Sequence, residues 1–333
     1  MATGLAGAVD NIVIRSSYPE DSEIECETFL SELRPQTLEY FEVLSYSRLG
    51  PRSIRAMGLH INSLTELKLT SLGMDSIAEL PSLKAPPALK VLVLTDSSPW
   101  SLDDEYYATI TRVAEWIRSC KSLQRLELRK FVDDPVLLSQ ALVEDGPRLT
   151  TLSVVDYSSD RARAFHDALA SQESLQNLYL SGEDIELPED NETLVQAITQ
   201  LRNLRELELE EVSDGFTPDH IMVLTPFLPH LEKLWIGGDH FDDSIWNAFL
   251  CLPKLQSLVI RALSEFTVQG ILDFIAQLGP GNRGMKLSIL NSTTEASLSE
   301  EQQKLIHDTL ENSLDGSFDF GLAHGEYYMK QVP

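Results

Sequence analysis

Basic residues are scarce in this chain, and several familiar chemistries are missing with them. Lysine and arginine number 26 against 52 aspartates and glutamates over 333 residues, a formal net charge of −26. A surface of that sign repels polyanions, which argues against nucleic acid or an anionic membrane as a partner; a basic protein partner is compatible with it. Cysteine is rarer still: Cys26, Cys120 and Cys251 are far apart, odd in number and never spaced Cys-x-x-Cys. That pattern supplies neither a disulfide framework nor a zinc site, and it fits reduced thiols in a cytosolic or nuclear protein. Cys120 and Cys251 fall at predicted helix ends just before a strand, where a small buried residue is expected. No run approaches the ~20 apolar residues of a membrane-spanning helix, and the first eight residues hold no basic leader. There is no glycine loop to cradle phosphate and no paired metal-ligand motif. The seven histidines lie on predicted helices or loops with no nucleophile at a telling spacing. No catalytic residue, cofactor or metal is therefore expected, and the chain does not read as an enzyme.

What the chain does contain is one short string, Leu-x-x-Leu-x-Leu, in nine copies. Leu64-Leu67-Leu69 and Leu123-Leu126-Leu128 are nearly duplicates, each preceded by serine. Further copies stand at Leu89-Leu92-Leu94, Leu149-Leu152-Val154, Leu175-Leu178-Leu180, Leu204-Leu207-Leu209, Leu231-Leu234-Ile236 and Leu255-Leu258-Ile260, with a looser one at Leu38-Phe41-Val43. The leading positions are separated by 26, 25, 34, 26, 26, 29, 27 and 24 residues. The last two apolar residues of each string alternate with polar ones, the period of a strand with one face in a core and the other in water.

A repeat in the twenties carrying this string defines leucine-rich repeats, each a strand plus a helix on the opposite side. One unit cannot bury its own apolar face, so units must stack with strands side by side. Helices are wider than strands, about 10 Å against about 4.8 Å, so the stack should bend with the sheet inside. The expected fold is an α/β leucine-rich-repeat horseshoe, with a parallel sheet on the concave face and helices on the convex face. Weaker copies at Val9-Ile12-Ile14 and Leu287-Ile289 extend the row to roughly eleven strands, in one domain over residues 1–333 with repeats at about 9–290.

Helices fall between the strings. The acidic stretch 16–36 reads as a connection with one short helix near Phe29-Leu30. The 34-residue interval calls for a longer helix, with Ser101-Leu102-Asp103-Asp104 as its capping start. Tyr107, Ile110, Val113, Ala114 and Ile117 form its apolar stripe, with Trp116 packing at the edge. Thr217 before Pro218, Thr267 and Ser299-Glu300-Glu301-Gln302 are further helix starts. The last of these reads as a cap helix over the open end of the core, followed by a tail; together they span about 296–333. Three positions after each string, where many such repeats carry Asn or Cys, stand Tyr46, Leu72, Ser97, Phe131, Tyr157, Glu183, Val212, Asp239 and Leu263. No asparagine ladder exists.

The segment Phe29-Leu30-Ser31-Glu32-Leu33-Arg34-Pro35, followed by Thr37-Leu38-Glu39 and Phe41-Glu42-Val43, resembles the repeat region of fungal F-box/leucine-rich-repeat proteins, which are ribonuclease-inhibitor-like. The run from Ala114 to Leu123 is similar to the same group. The resemblance implies that the repeats hold a target, as in ubiquitin-ligase receptors whose N-terminal F-box docks on a scaffold. Only residues 1–8 precede the first candidate strand here, so the F-box itself is expected to be absent.

In each string the residues flanking the second and third apolar positions point away from the core. Among them Tyr40, Lys68, Arg125, Arg129, Tyr179, Glu206, Glu208, Glu210, Trp235 and Arg261 are the candidates for protein binding, because aromatic and arginine anchors dominate interface energetics. Glu206, Glu208 and Glu210 crowd three like charges onto one strand face, costly unless a basic group relieves them. A second reading is a stoichiometric inhibitor, an acidic face that occludes a basic enzyme.

Overall fold

Each string becomes a strand whose apolar residues all turn to one side, and the polar residues between them turn to the other. The computed structural model describes residues 10–14, 22–44, 49–96, 104–131, 134–157, 162–182, 188–291 and 298–322. Val9, Ser101, Leu102 and Asp103, Tyr46, Ser97 and Glu183, and the tail at 323–333 lie outside the described residues. The chain divides into two compact units, residues 1–175 and 176–333.

In the first unit, strands and helices alternate: β1 (Asn11–Ile14), α1 (Ser22–Glu32), β2 (Tyr40–Val43), α2 (Pro51–Met57), β3 (Glu66–Leu72), α3 (Met74–Glu79), β4 (Val91–Asp96), α4 (Asp104–Ser119), β5 (Arg125–Arg129), α5 (Asp134–Ala141), β6 (Thr151–Tyr157) and α6 (Arg163–Ala170). Every strand pairs in parallel with the next. The register stacks like residues of successive strings. Phe41, Leu67, Leu92, Leu126 and Leu152 make one rung, and Leu69, Leu94, Leu128 and Val154 a second. All nine are fully buried.

The second unit repeats the scheme. It holds β7 (Asn177–Gly182), α7 (Pro188–Thr199), β8 (Glu206–Glu210), α8 (Pro218–Leu224), β9 (Lys233–Asp242), α9 (Trp246–Phe249), β10 (Ser257–Glu265), α10 (Val268–Gln277), β11 (Lys286–Asn291), α11 (Glu300–Leu314) and β12 (Ser317–Leu322). Its rungs run Leu178, Leu207, Leu234, Leu258, Leu287, Phe318 and Leu180, Leu209, Ile236, Ile260, Ile289, Phe320. Six parallel strands in each unit make twelve among the described residues, where the strings predict eleven.

The extra strand corrects the reading of the C-terminal region. The helix predicted as an end cap, α11, starts as expected, with Gln302 N–H on Ser299 Oγ at 3.3 Å and Ser299 N–H on Gln302 Oε1 at 2.9 Å. It then returns into β12, so it is the helix of another repeat. Helix α1 is also longer than the acidic composition suggests. Cys26, Leu30 and Leu33 are buried at a spacing of one helical face; Glu25 and Glu32 are exposed on the other side, and Glu23 Oε1 accepts from the Arg52 N–H of α2 at 3.0 Å. In α4 the stripe is led by Tyr106 rather than Tyr107, and Trp116 packs inward with its Nε1–H on the Lys84 carbonyl at 2.8 Å. Cys120 is buried, which pushes its thiol up to about 12. Cys251 is exposed, because α9 is only one turn long and Leu252 fills the core position instead.

Four strands end in the same way. Ser71, Lys130, Asp156 and Glu211 have φ of 55°, 57°, 64° and 64°. Each stands two positions after the last apolar residue of its string. This left-handed bend costs a non-glycine residue about 1–2 kcal/mol. It turns the following side chain inward: Leu72, Phe131, Tyr157 and Val212 are all buried. These occupy the places where many leucine-rich repeats carry Asn or Cys. Here an apolar wedge closes the corner, which accounts for the missing asparagine ladder.

Candidate protein-binding strand face

The outward rows are built by pairing register, so residues far apart in sequence become lateral neighbours. In the first unit Tyr40 faces Glu66, and Glu42 faces Lys68. Tyr40 donates its hydroxyl proton to Glu42 Oε2 at 2.6 Å, and Lys68 Nζ donates to the Tyr40 oxygen at 3.3 Å. Lys68 Nζ also lies 4.9 Å from the Tyr40 ring centroid and 3.6 Å from Glu66 Oε2. Burial, then the hydrogen bond to Glu42, raises the phenol of Tyr40 above its ordinary range. The ring and the ammonium are thus tied to each other within the chain.

On β5 the three outward residues form a triad. Glu127 accepts from Arg129 Nε at 2.6 Å and from Arg125 Nη2 at 3.1 Å, with Arg129 Nη2 also on the same carboxylate. The Glu127 side chain is only 5% exposed, whereas those of Arg125 and Arg129 are 52% and 46% exposed. Alternation predicts all three as outward. Burial of the central carboxylate under its two partners is what the sequence does not display.

In the second unit the crowded acidic strand is relieved locally. Tyr179 donates to Glu206 Oε2 at 2.5 Å, and Lys233 Nζ sits 2.7 Å from Glu206 Oε1. Burial pushes Glu206 up, but the hydrogen bonds from Lys233 and Tyr179 outweigh it and hold the carboxyl below its usual range. The same carboxylate raises the Lys233 ammonium. Burial, then Glu206, raises the Tyr179 phenol. Glu208 and Glu210 continue the row half-buried.

Two candidates differ from expectation. Trp235 lies on the outward row between Glu208 and Val259, yet it is only 9% exposed. The next residue along that face is Gly237, against which the Asp214 side chain and the Ser213 hydroxyl are packed. Trp235 is therefore covered surface rather than an open anchor. Arg261, on β10, reaches Glu211 beyond the end of β8 at 3.1 Å. Glu42, Glu66, Glu127, Lys233 and Glu211 complete the clusters and are not among the ten candidates. For Glu42, Glu66, Glu127 and Lys233 the strand alternation is the available signal; Glu211 has none.

The more exposed of these pairs, such as Arg261–Glu211 and Lys68–Glu66, add little stability each, about 0–1 kcal/mol. Their effect is to hold long side chains in one arrangement. Among the described residues no group of three or more His, Cys, Asp or Glu is arranged to hold a metal ion, and no helix is long and apolar enough to cross a membrane. The three cysteines are free thiols.

Strand, corner and returning helix, repeated on rungs of leucine, define the fold as leucine-rich-repeat α/β. No family model and no curated protein sequence matches the chain. Among solved structures it is similar to a chain of the yeast Rad7 and Elc1 complex, at 19% identity over 84% of each chain with a TM-score of 0.46. A Bacteroides fragilis protein is 14% identical over 72% of this chain and 68% of that one, with a TM-score of 0.41. A chain of the TLR13–ssRNA13 complex is 14% identical over 80% of this chain and 45% of its own, with a TM-score of 0.39.

Proposed function

We propose that the chain is a protein-binding leucine-rich-repeat module that receives its partner on the outward rows of its strands. The observation that carries this reading is the immobilisation of anchor-type side chains on that face. Arg125 and Arg129 are held by Glu127, and Tyr179 and Lys233 by Glu206. Side chains already fixed lose less entropy on association, which is the main cost of using long residues as anchors. The setting we infer is target recognition, as in the repeat halves of F-box ubiquitin-ligase receptors, without catalysis and without a cofactor. Free thiols suit a reducing compartment, the cytosol or nucleus.

Affinity purification of the full chain with mass spectrometry, followed by titration of the captured protein, tests the reading. Tyr179→Ala and Lys233→Ala should each weaken binding by about 1–3 kcal/mol while leaving thermal unfolding nearly unchanged. Undiminished affinity in both variants, and in Arg125→Ala, would remove the strand face from the interface.

The acidic row supports a second reading, a stoichiometric inhibitor of a basic enzyme. Glu206, Glu208, Glu210 and Glu211 follow one another along and just past β8 in a chain of net charge −26. Association driven by such a field slows steeply as salt rises. Ligase scaffold subunits among the captured proteins favour the first reading; one basic enzyme with salt-sensitive association favours the second.

A further inference from the structure

We propose that the Arg125–Glu127–Arg129 triad on β5 is a receptor for a single carboxylate presented by an extended acidic segment of a protein partner. The proposal rests on the protein-binding reading and adds the chemistry of one contact, opposite in sign to what the acidic chain as a whole would attract.

Among the described residues of the two neighbouring strands the triad has no charged lateral neighbour. On β4 the outward neighbours are Val91, Val93 and Thr95, and on β6 they are Thr151, Ser153 and Val155. None carries charge. The sheet is therefore fully served at these register positions by short uncharged side chains. Replacing them on β5 with two guanidiniums over a buried carboxylate brings a desolvation cost that packing does not require, since buried ion pairs are often no more stabilising than apolar residues of similar volume. What the charged version adds is a preorganised cationic surface.

Its geometry suits a carboxylate. Glu127 engages only Nη2 of Arg125 and Nε and Nη2 of Arg129. The two guanidiniums are drawn towards the middle of the strand from either end; Glu127 takes the side-on Nε/Nη2 edge of Arg129, and the end-on edge, Nη1 with the second N–H of Nη2, meets no other acceptor among the described residues. Planar guanidinium forks bind carboxylates bidentately, and fixed forks do so at low entropic cost. Two arginines over one glutamate sum to a charge of +1. One carboxylate neutralises that sum, whereas a phosphorylated side chain, at about −1.5 to −2, would leave an excess of negative charge in an already acidic molecule.

Random-sequence peptides displayed on phage and selected on the full chain test the proposal, with affinities read by fluorescence polarisation. The selected peptides should share an aspartate or glutamate, and Arg125→Gln with Arg129→Gln should weaken them at least about tenfold, as loss of charge-assisted hydrogen bonds requires. That double variant strands Glu127, so the triple variant with Glu127→Gln is measured beside it at a temperature where both are folded. The same loss is expected in the triple variant. Selected peptides that lack acidic residues, or that bind both variants undiminished, overturn the proposal. If those peptides instead lose affinity with Lys233→Ala, the protein-binding reading stands without this site. If nothing is selected, both fall. A phosphoserine in place of the shared acidic residue that binds more tightly overturns the choice of carboxylate.

Discussion

Arg261 and Glu211 meet at 3.1 Å although they are 50 positions apart in sequence with one whole strand between them. The intervening strand is β9, and its residue facing Arg261 is Gly237. The Gly237 N–H donates to Ser213 Oγ at 2.7 Å, and that hydroxyl donates to the Leu209 carbonyl at 2.7 Å. The corner after β8 is thereby folded down onto β9. A Cβ at Gly237 would stand 2.3 Å from Asp214 Oδ1, with the Asp214 backbone nitrogen at 3.3 Å.

Gly237→Ala should accordingly cost about 1–3 kcal/mol, the usual range for an overpacked site. Arg261→Ala removes only a partly exposed ion pair and should cost no more than about 1 kcal/mol. Urea unfolding of the two variants separates the effects. Equal losses would mean that the ion pair, not the close approach of the corner, holds the region.

The left-handed bends make a prediction of opposite sign. Lys130 is exposed with φ of 57°, a conformation in which glycine meets no Cβ penalty. Lys130→Gly should therefore be neutral or stabilising by up to about 1 kcal/mol, even though glycine ordinarily weakens an ordered position. Its neighbour Phe131 is the wedge, and Phe131→Ala should cost about 3–5 kcal/mol. Calorimetric melting of both variants checks the pair.

Leu126 is a central rung, fully buried between Leu92 and Leu152. Leu126→Ala should cost about 2–5 kcal/mol through the cavity it leaves. A negligible change in unfolding midpoint would contradict the inward assignment of the string.

Stability should also fall on mild acidification. His166 on α6 is buried and shares a 2.8 Å hydrogen bond with the Tyr157 hydroxyl. Burial lowers its pKa from 6.5 to about 4. The folded state thus binds fewer protons than the unfolded chain between those values. The stability linked to His166 is complete above pH 6.5, declines as pH falls towards 4, and changes by at most about 1.4 kcal/mol per pH unit. Denaturant titrations at several pH values should show this slope in the wild type and a flatter one in His166→Gln.

The rungs were legible because leucine recurs at a fixed period and burial follows alternation. Other features left no such trace. Ser71, Lys130, Asp156 and Glu211 share a backbone angle but no residue type, so no pattern of letters marks the bends. Strand β12 replaces the leucine string with Phe318 and Phe320, and only pairing with Leu287 and Ile289 reveals it. Of the candidate face, the outward direction of Arg125, Glu127 and Arg129 followed from spacing. The depth of Glu127 did not, because it depends on how two long side chains fold back over a third. The low exposure of Trp235 was hidden for the same reason: alternation assigns a side to a residue, but not the angle at which a large ring lies.

The bends at Ser71, Lys130, Asp156 and Glu211 are properties of the main chain, and the four side chains carried there stay out of the core while differing in size and charge. Such corners are interchangeable parts. A change of side chain at such a corner alters the cost of the left-handed angle without putting the leucine rungs out of step.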